Sequence, residues 1–80
     1  MSADSSPVPE TIIVHEVPIE LSKVLKLSGV ADTGGAAKHA IRSGLVRLNG
    51  VVETRKAKKL LAGDRIAVGG RLLEIAVQKS

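Results

Sequence analysis

The period of the apolar positions changes twice along these 80 residues. "TIIVHEV" (residues 11–17) is a short β-branched run bounded by proline on both sides, and it predicts a strand. From Ile19 the spacing turns helical. Leu21, Val24, Leu25 and Ser28 share one face, Lys23 and Lys26 point outward, and Gly29 supplies a stop. "ADTGGAAKHAIRSG" predicts a second helix, with Asp32 or Thr33 as its cap and Gly44 ending it in a left-handed conformation. Its buried face is narrow, made of Ala37, Ala40 and Ile41, so the two helices should approach closely. The loop between them is short, which makes an αα-hairpin.

After Gly44 the alternation is that of strands. "LVRL" and "VVET" flank Asn49-Gly50, the dipeptide that best tolerates the positive φ angles of a type I′ turn. "AGD" (residues 62–64) is a turn signal, and "RIAV" and "LLEIAV" flank Gly69-Gly70 as a second hairpin. The expected architecture is α+β, with the αα-hairpin packed on a small, mainly antiparallel β-sheet. Residues 1–10 are rich in Ser and Pro with almost nothing to bury, so they are expected to form a flexible acidic N-terminal tail. Residues 11–80 then make a single domain, of a size for which one core is barely sufficient.

Composition sharpens this picture in two ways. The chain has no Phe, Trp or Tyr, so its core must be aliphatic. It also has no cysteine, which excludes disulfides and thiolate metal sites and agrees with a reducing, cytoplasmic setting. No apolar run approaches the roughly 18 residues that a membrane span needs, so no membrane partner is expected. The first ten residues lack the positive start and apolar stretch of a signal peptide.

Charge is distributed unevenly. Residues 1–20 hold Asp4, Glu10, Glu16 and Glu20 and no cation, whereas the other sixty carry twelve Lys and Arg against four acids. Lys38 and Arg42 lie four apart and share a face of the second helix. Gly35, one turn before Lys38, leaves the helix N-terminus open to an anion. Arg47 lies on the next strand, and Arg55, Lys56, Lys58 and Lys59 follow the hairpin. From Lys38 to Lys59 there are seven cations and one acid, Glu53. Three successive elements carrying the same excess point to a polyanionic ligand rather than a solvated edge.

Catalysis has little to work with. His15 and His39 fall on different predicted elements without an acidic partner, the serines sit mostly in the tail or at helix ends, and no phosphate-binding glycine motif is present. No catalytic residue, cofactor or metal is assigned. The absence of Phe, Trp and Tyr disfavours single-strand readers that stack bases on such rings. Phosphate and shape recognition of a folded or double-stranded nucleic acid fits better.

These residues have a familiar arrangement. "ELSKVLKLSGVADTGGAAKHAIRSGLVRLNGVVETRKAKKLLAGDRI" (residues 20–66) resembles the αL RNA-binding motif, the domain named for ribosomal protein S-four. The most specific parts are "AIRSGLVRLNG" and "AGDRI". The resemblance implies a non-catalytic module whose second helix and following hairpin lay a basic surface against structured RNA, ribosomal or transfer RNA, with the ribosome as a potential partner. Carried over by position, it implicates Lys38, Arg42, Arg47, Asn49, Arg55, Lys56, Lys58 and Lys59 in RNA binding. Where the family usually opens the second helix with Ser-Arg, this chain has Thr33-Gly34. Where the first helix usually opens with Arg-Leu-Asp, it has Glu20-Leu21-Ser22. Gly-Gly at this point is similar to a subgroup of short, stand-alone bacterial members. Two rival readings remain open from the residues alone: a DNA-binding helix-turn-helix with a β wing, and an adaptor whose basic face docks an acidic or ribosomal protein.

Overall fold

The computed structural model describes residues 8–78. In chain order the elements are β1 (Glu10–Val14), β2 (Ile19–Glu20), α1 (Leu21–Leu27), α2 (Gly34–Arg42), β3 (Arg47–Leu48), β4 (Val51–Val52), β5 (Lys59–Leu60), β6 (Arg65–Val68) and β7 (Arg71–Val77). A five-stranded sheet has the order β1-β7-β6-β3-β4, and β2 and β5 form a separate two-stranded sheet. All pairings are antiparallel except β1 with β7, which is parallel. The expected α+β architecture, a helical hairpin on a mainly antiparallel sheet, is therefore present.

Helix ends follow from their sequences. Thr33 caps α2, its Oγ1 accepting from the Ala36 amide at 3.0 Å. At the other end Gly44 takes φ 78°, its amide donating to Ile41 and that of Leu45 to Ala40. This pair of bonds is the Schellman arrangement, which needs a left-handed residue and so favours glycine. The Asn49-Gly50 turn has positive φ at both positions, 52° and 87°, as the type I′ reading requires.

The core is aliphatic throughout. Leu21, Val24 and Leu25 of α1 and Ala37 and Ile41 of α2 bury against Val46, Leu60, Ile66, Val68, Leu73 and Ile75. Ala40, expected on the buried face of α2, is half-buried and packs at the margin. Period-two alternation in β6 and β7 puts Ile66, Val68, Leu73 and Ile75 on the helix side.

Three boundaries differ from the sequence reading. The first strand ends at Val14 rather than residue 17, because Val14 lies opposite Val77 and the ladder runs out there. It also begins at Glu10, inside the segment assigned to the tail, while residues 1–7 of that tail lie outside the described residues. Glu10 is held in place by Arg71, whose Nε and Nη2 donate to its carboxylate at 2.8 and 2.6 Å, while Nη2 also reaches the Ser28 carbonyl at 3.0 Å. One guanidinium thus ties β1, β7 and the end of α1. Finally, Ile19 and Glu20 form β2 instead of the first helical turn, and five strands rather than about four follow the helices.

Two outcomes are expected. Leu60, the fully buried residue of β5, should cost about 2–5 kcal/mol when replaced by alanine, measured by urea unfolding. The Arg71 hydrogen bond holds the Glu10 carboxyl below the usual carboxylate range. Its contribution is complete above that range and is lost as pH falls through the lowered value. The melting temperature of Glu10→Gln should therefore lie below wild type at neutral pH, and the gap should close in acid.

Candidate nucleic-acid interface

The first amides of a helix need acceptors, and α1 has no side chain to supply them: Glu20, at its N-cap position, makes no capping bond. The Leu21 amide donates instead to the Lys58 carbonyl at 2.9 Å, and the Ser22 amide to the Lys56 carbonyl at 3.1 Å. A turn closed by the Lys58 amide on the Arg55 carbonyl precedes these contacts. Next in the chain, Leu60 buries fully and β5 pairs with β2. The segment from Arg55 to Lys59 is therefore pinned by its backbone to the start of α1, leaving its side chains to face outward.

This segment meets the exposed face of α2. Together they form an open groove of about 690 Å³, lined by Lys38, Arg42, Arg55, Lys56, Lys58 and Lys59 with Thr54 and Ala57, and no carboxylate among the described residues lines it. Of the eight residues implicated from the sequence, the structure gathers these six. His39 and Gly35 adjoin Lys38 and Arg42 in a smaller hollow along α2.

Carboxylates border two of the six cations. Glu53 accepts from the Arg55 amide at 3.1 Å, from Nε at 3.0 Å and from Nη2 at 3.3 Å. These bonds, that of the Arg55 side chain first, hold the Glu53 carboxyl below the usual range. The same pairing raises the Arg55 guanidinium further above neutrality. Glu53 is mostly covered while Arg55 is exposed, so the acid orients the guanidinium without hiding it. Lys59 meets Glu20 at 3.2 Å, a consequence of their being opposite each other in the β2–β5 register. Both are exposed, so this pair adds little stability and screens one cation. Lys38, Arg42, Lys56 and Lys58 make no ion pair with any described residue.

Arg47 and Asn49 lie elsewhere. Arg47 is on the opposite side of its strand from the buried Val46, and it lines a separate hollow with Leu45 and Leu72. The Asn49 side chain is engaged inside the fold: Nδ2 donates to Asp64 at 3.2 Å and Oδ1 accepts from the Arg65 amide at 2.9 Å. Its own amide donates to the Arg65 carbonyl at 2.8 Å. The residue clamps the tip of one hairpin to the start of β6.

The sequence reading missed two partners and one cation. Glu20 and Glu53 as modulators were not foreseen, since the first contact spans 39 residues. Lys26 of α1 was placed outward without a role. Its Nζ lies 3.9 Å from where a Cβ on Gly34 would sit. Gly34, Lys38 and Arg42 share one stripe of α2, so Lys26 extends the cationic row at its N-terminal end.

The S4 domain family model matches residues 12–76. The chain belongs to the S4 domain family. YbcJ of Escherichia coli (strain K12) is 40% identical over 57 residues, covering 71% of this chain and 81% of that protein. The YbcJ of Shigella flexneri gives the same values. The solution structure of E. coli YbcJ, described as revealing an αL motif involved in RNA binding, superposes with a TM-score of 0.65. It is 32% identical, with 95% of this chain and 94% of that one covered.

Asn49→Ala should lose about 1 kcal/mol of stability, because its hydrogen bonds go and an alanine fits the positive φ poorly. Affinity for nucleic acid, normalised to folded protein, should be unchanged, as read by denaturant unfolding and filter binding on one preparation.

Proposed function

We propose that this S4 domain is a non-catalytic, cytoplasmic binder of structured RNA, ribosomal or transfer RNA, gripping phosphates across the α2 face and the Arg55–Lys59 segment. The observation that carries this reading is the groove with six cations and no lining carboxylate. Four of these cations make no ion pair among the described residues, so binding need not first break one there. Arg55, oriented by Glu53, can present its remaining donors to a phosphate.

Support comes from what the groove lacks as well. With no Phe, Trp or Tyr in the chain, the large rings on which single-strand readers stack bases are missing. An open, shallow trough suits a backbone whose shape is set by folding. The description of E. coli YbcJ as carrying an RNA-binding αL motif agrees with this assignment. Sequence specificity should be low, since phosphate contacts position a nucleic acid without reading it. The ribosome is the natural setting for such a surface, because it displays folded RNA at high density.

Four unpaired cations imply that log K falls with log salt at a slope of roughly −3 to −4. The Lys38→Ala/Arg42→Ala double variant should bind more weakly and lose about two units of that slope. Its melting temperature should hold, because both residues are exposed. A slope near zero for wild type, or equal affinity for duplex DNA and a folded RNA of the same length, would reject the reading.

A further inference from the structure

The five-stranded sheet has a second face, turned away from the helices. Because Val46, Ile66, Val68, Leu73 and Ile75 point into the core, their neighbours Arg47, Ala67 and Leu72 share the opposite side. The register aligns them in one row across four strands: Val52 opposite Arg47, Arg47 opposite Ala67, and Ala67 opposite Leu72. Leu45 joins Arg47, Ala67 and Leu72 of this row, and Arg71 at the start of β7, to line a hollow of about 410 Å³ that no acid among the described residues lines. Leu45 is 61% exposed and Val52 48% exposed.

Arg47 stands at the centre of this row without an ion pair among the described residues. The other two arginines of the sheet are both satisfied, Arg65 by Glu74 at 3.1 Å and Arg71 by Glu10. Arginine is enriched at the centres of protein interfaces, and here Arg47 shares its hollow with Leu45, Ala67 and Leu72 as well as with the paired Arg71. A phosphate backbone would satisfy the arginine and leave Leu45, Val52 and Leu72 uncovered.

We propose that this face docks an extended protein segment carrying an Asp or Glu beside aliphatic residues. The carboxylate would pair with Arg47 through two parallel hydrogen bonds. The aliphatic neighbours would cover Leu45, Val52 and Leu72. The surface lies apart from the basic groove and does not depend on the RNA reading. Both can be occupied at once, which would make the domain a coupler between RNA and a protein partner.

The test is selection from a random peptide display library on the full-length chain. Peptides with Asp or Glu adjacent to Leu, Ile or Val should be enriched. Affinity for a synthetic copy of the best one should fall at least tenfold in Arg47→Glu and in Leu45→Asp. It should stay within twofold in Lys38→Ala/Arg42→Ala. Circular dichroism checks the folds, and Arg47→Leu replaces Arg47→Glu if the latter unfolds. No enrichment overturns the proposal. So do enriched peptides that depend on Lys38 and Arg42 instead, since these would be filling the basic groove. If Arg47→Glu weakens RNA binding and leaves peptide binding intact, the face belongs to nucleic acid and the proposal fails.

Discussion

Two backbone hydrogen bonds, from the amides of Leu21 and Ser22 to the carbonyls of Lys58 and Lys56, determine the shape of the basic groove. An uncapped helix start and a cation-rich loop would each be costly alone. The first leaves donors without acceptors, and the second gathers like charges that repel one another. Joined through the backbone, the amides gain their acceptors and the segment is held in place in spite of its charge. The positive end of α1 adds to the local field, so this arrangement raises the potential of the segment already richest in Lys and Arg. Leu60 then anchors the far side through the core, and the cationic side chains stay at the surface, Arg55 beside Glu53 and Lys59 beside Glu20.

The core itself is built without aromatic residues, and this shapes the helices that carry the site. Ala37 and Ile41 give α2 a thin buried stripe, so much of its circumference stays in water. That exposure is what permits Gly34, Lys38 and Arg42 to form an uninterrupted polar row. A bulkier α2 would stand further from α1 and separate Lys26 from that row.

Elements with a strong local signal were legible in the chain: both helices with the Thr33 cap and the Gly44 stop, the Asn49-Gly50 hairpin, and the β6–β7 hairpin. What escaped was short or distant. β2 and β5 have two residues each, too few for a period to show, and their pairing joins positions 39 apart. The Glu20–Lys59 contact follows from that pairing and was equally hidden. For the site, the cations on α2 and on the Arg55–Lys59 segment could be named from charge and spacing. Arg47 entered as one of the seven cations and Asn49 by position along the motif, and neither charge nor position says which side of a strand a residue faces or whether its amide is already engaged. Arg47 alternates with buried Val46, and Asn49 is spent on Asp64 and Arg65.

The parallel pairing of β1 with β7 concerns time as well as shape. Glu10 meets Leu73, and Val14 meets Val77, so the earliest described strand is completed only by the latest. As a chain lengthens from its N-terminus, every residue of the basic groove is made before β7 exists. The helices and the cationic segment must therefore pass through a stage in which β1 is unpaired and Glu10 has no Arg71. Contacts between ends so far apart in sequence close slowly compared with a helical hairpin. During that interval the unpaired edge of β1 is open to any strand nearby, and a nascent chain of this protein is most vulnerable to mispairing there.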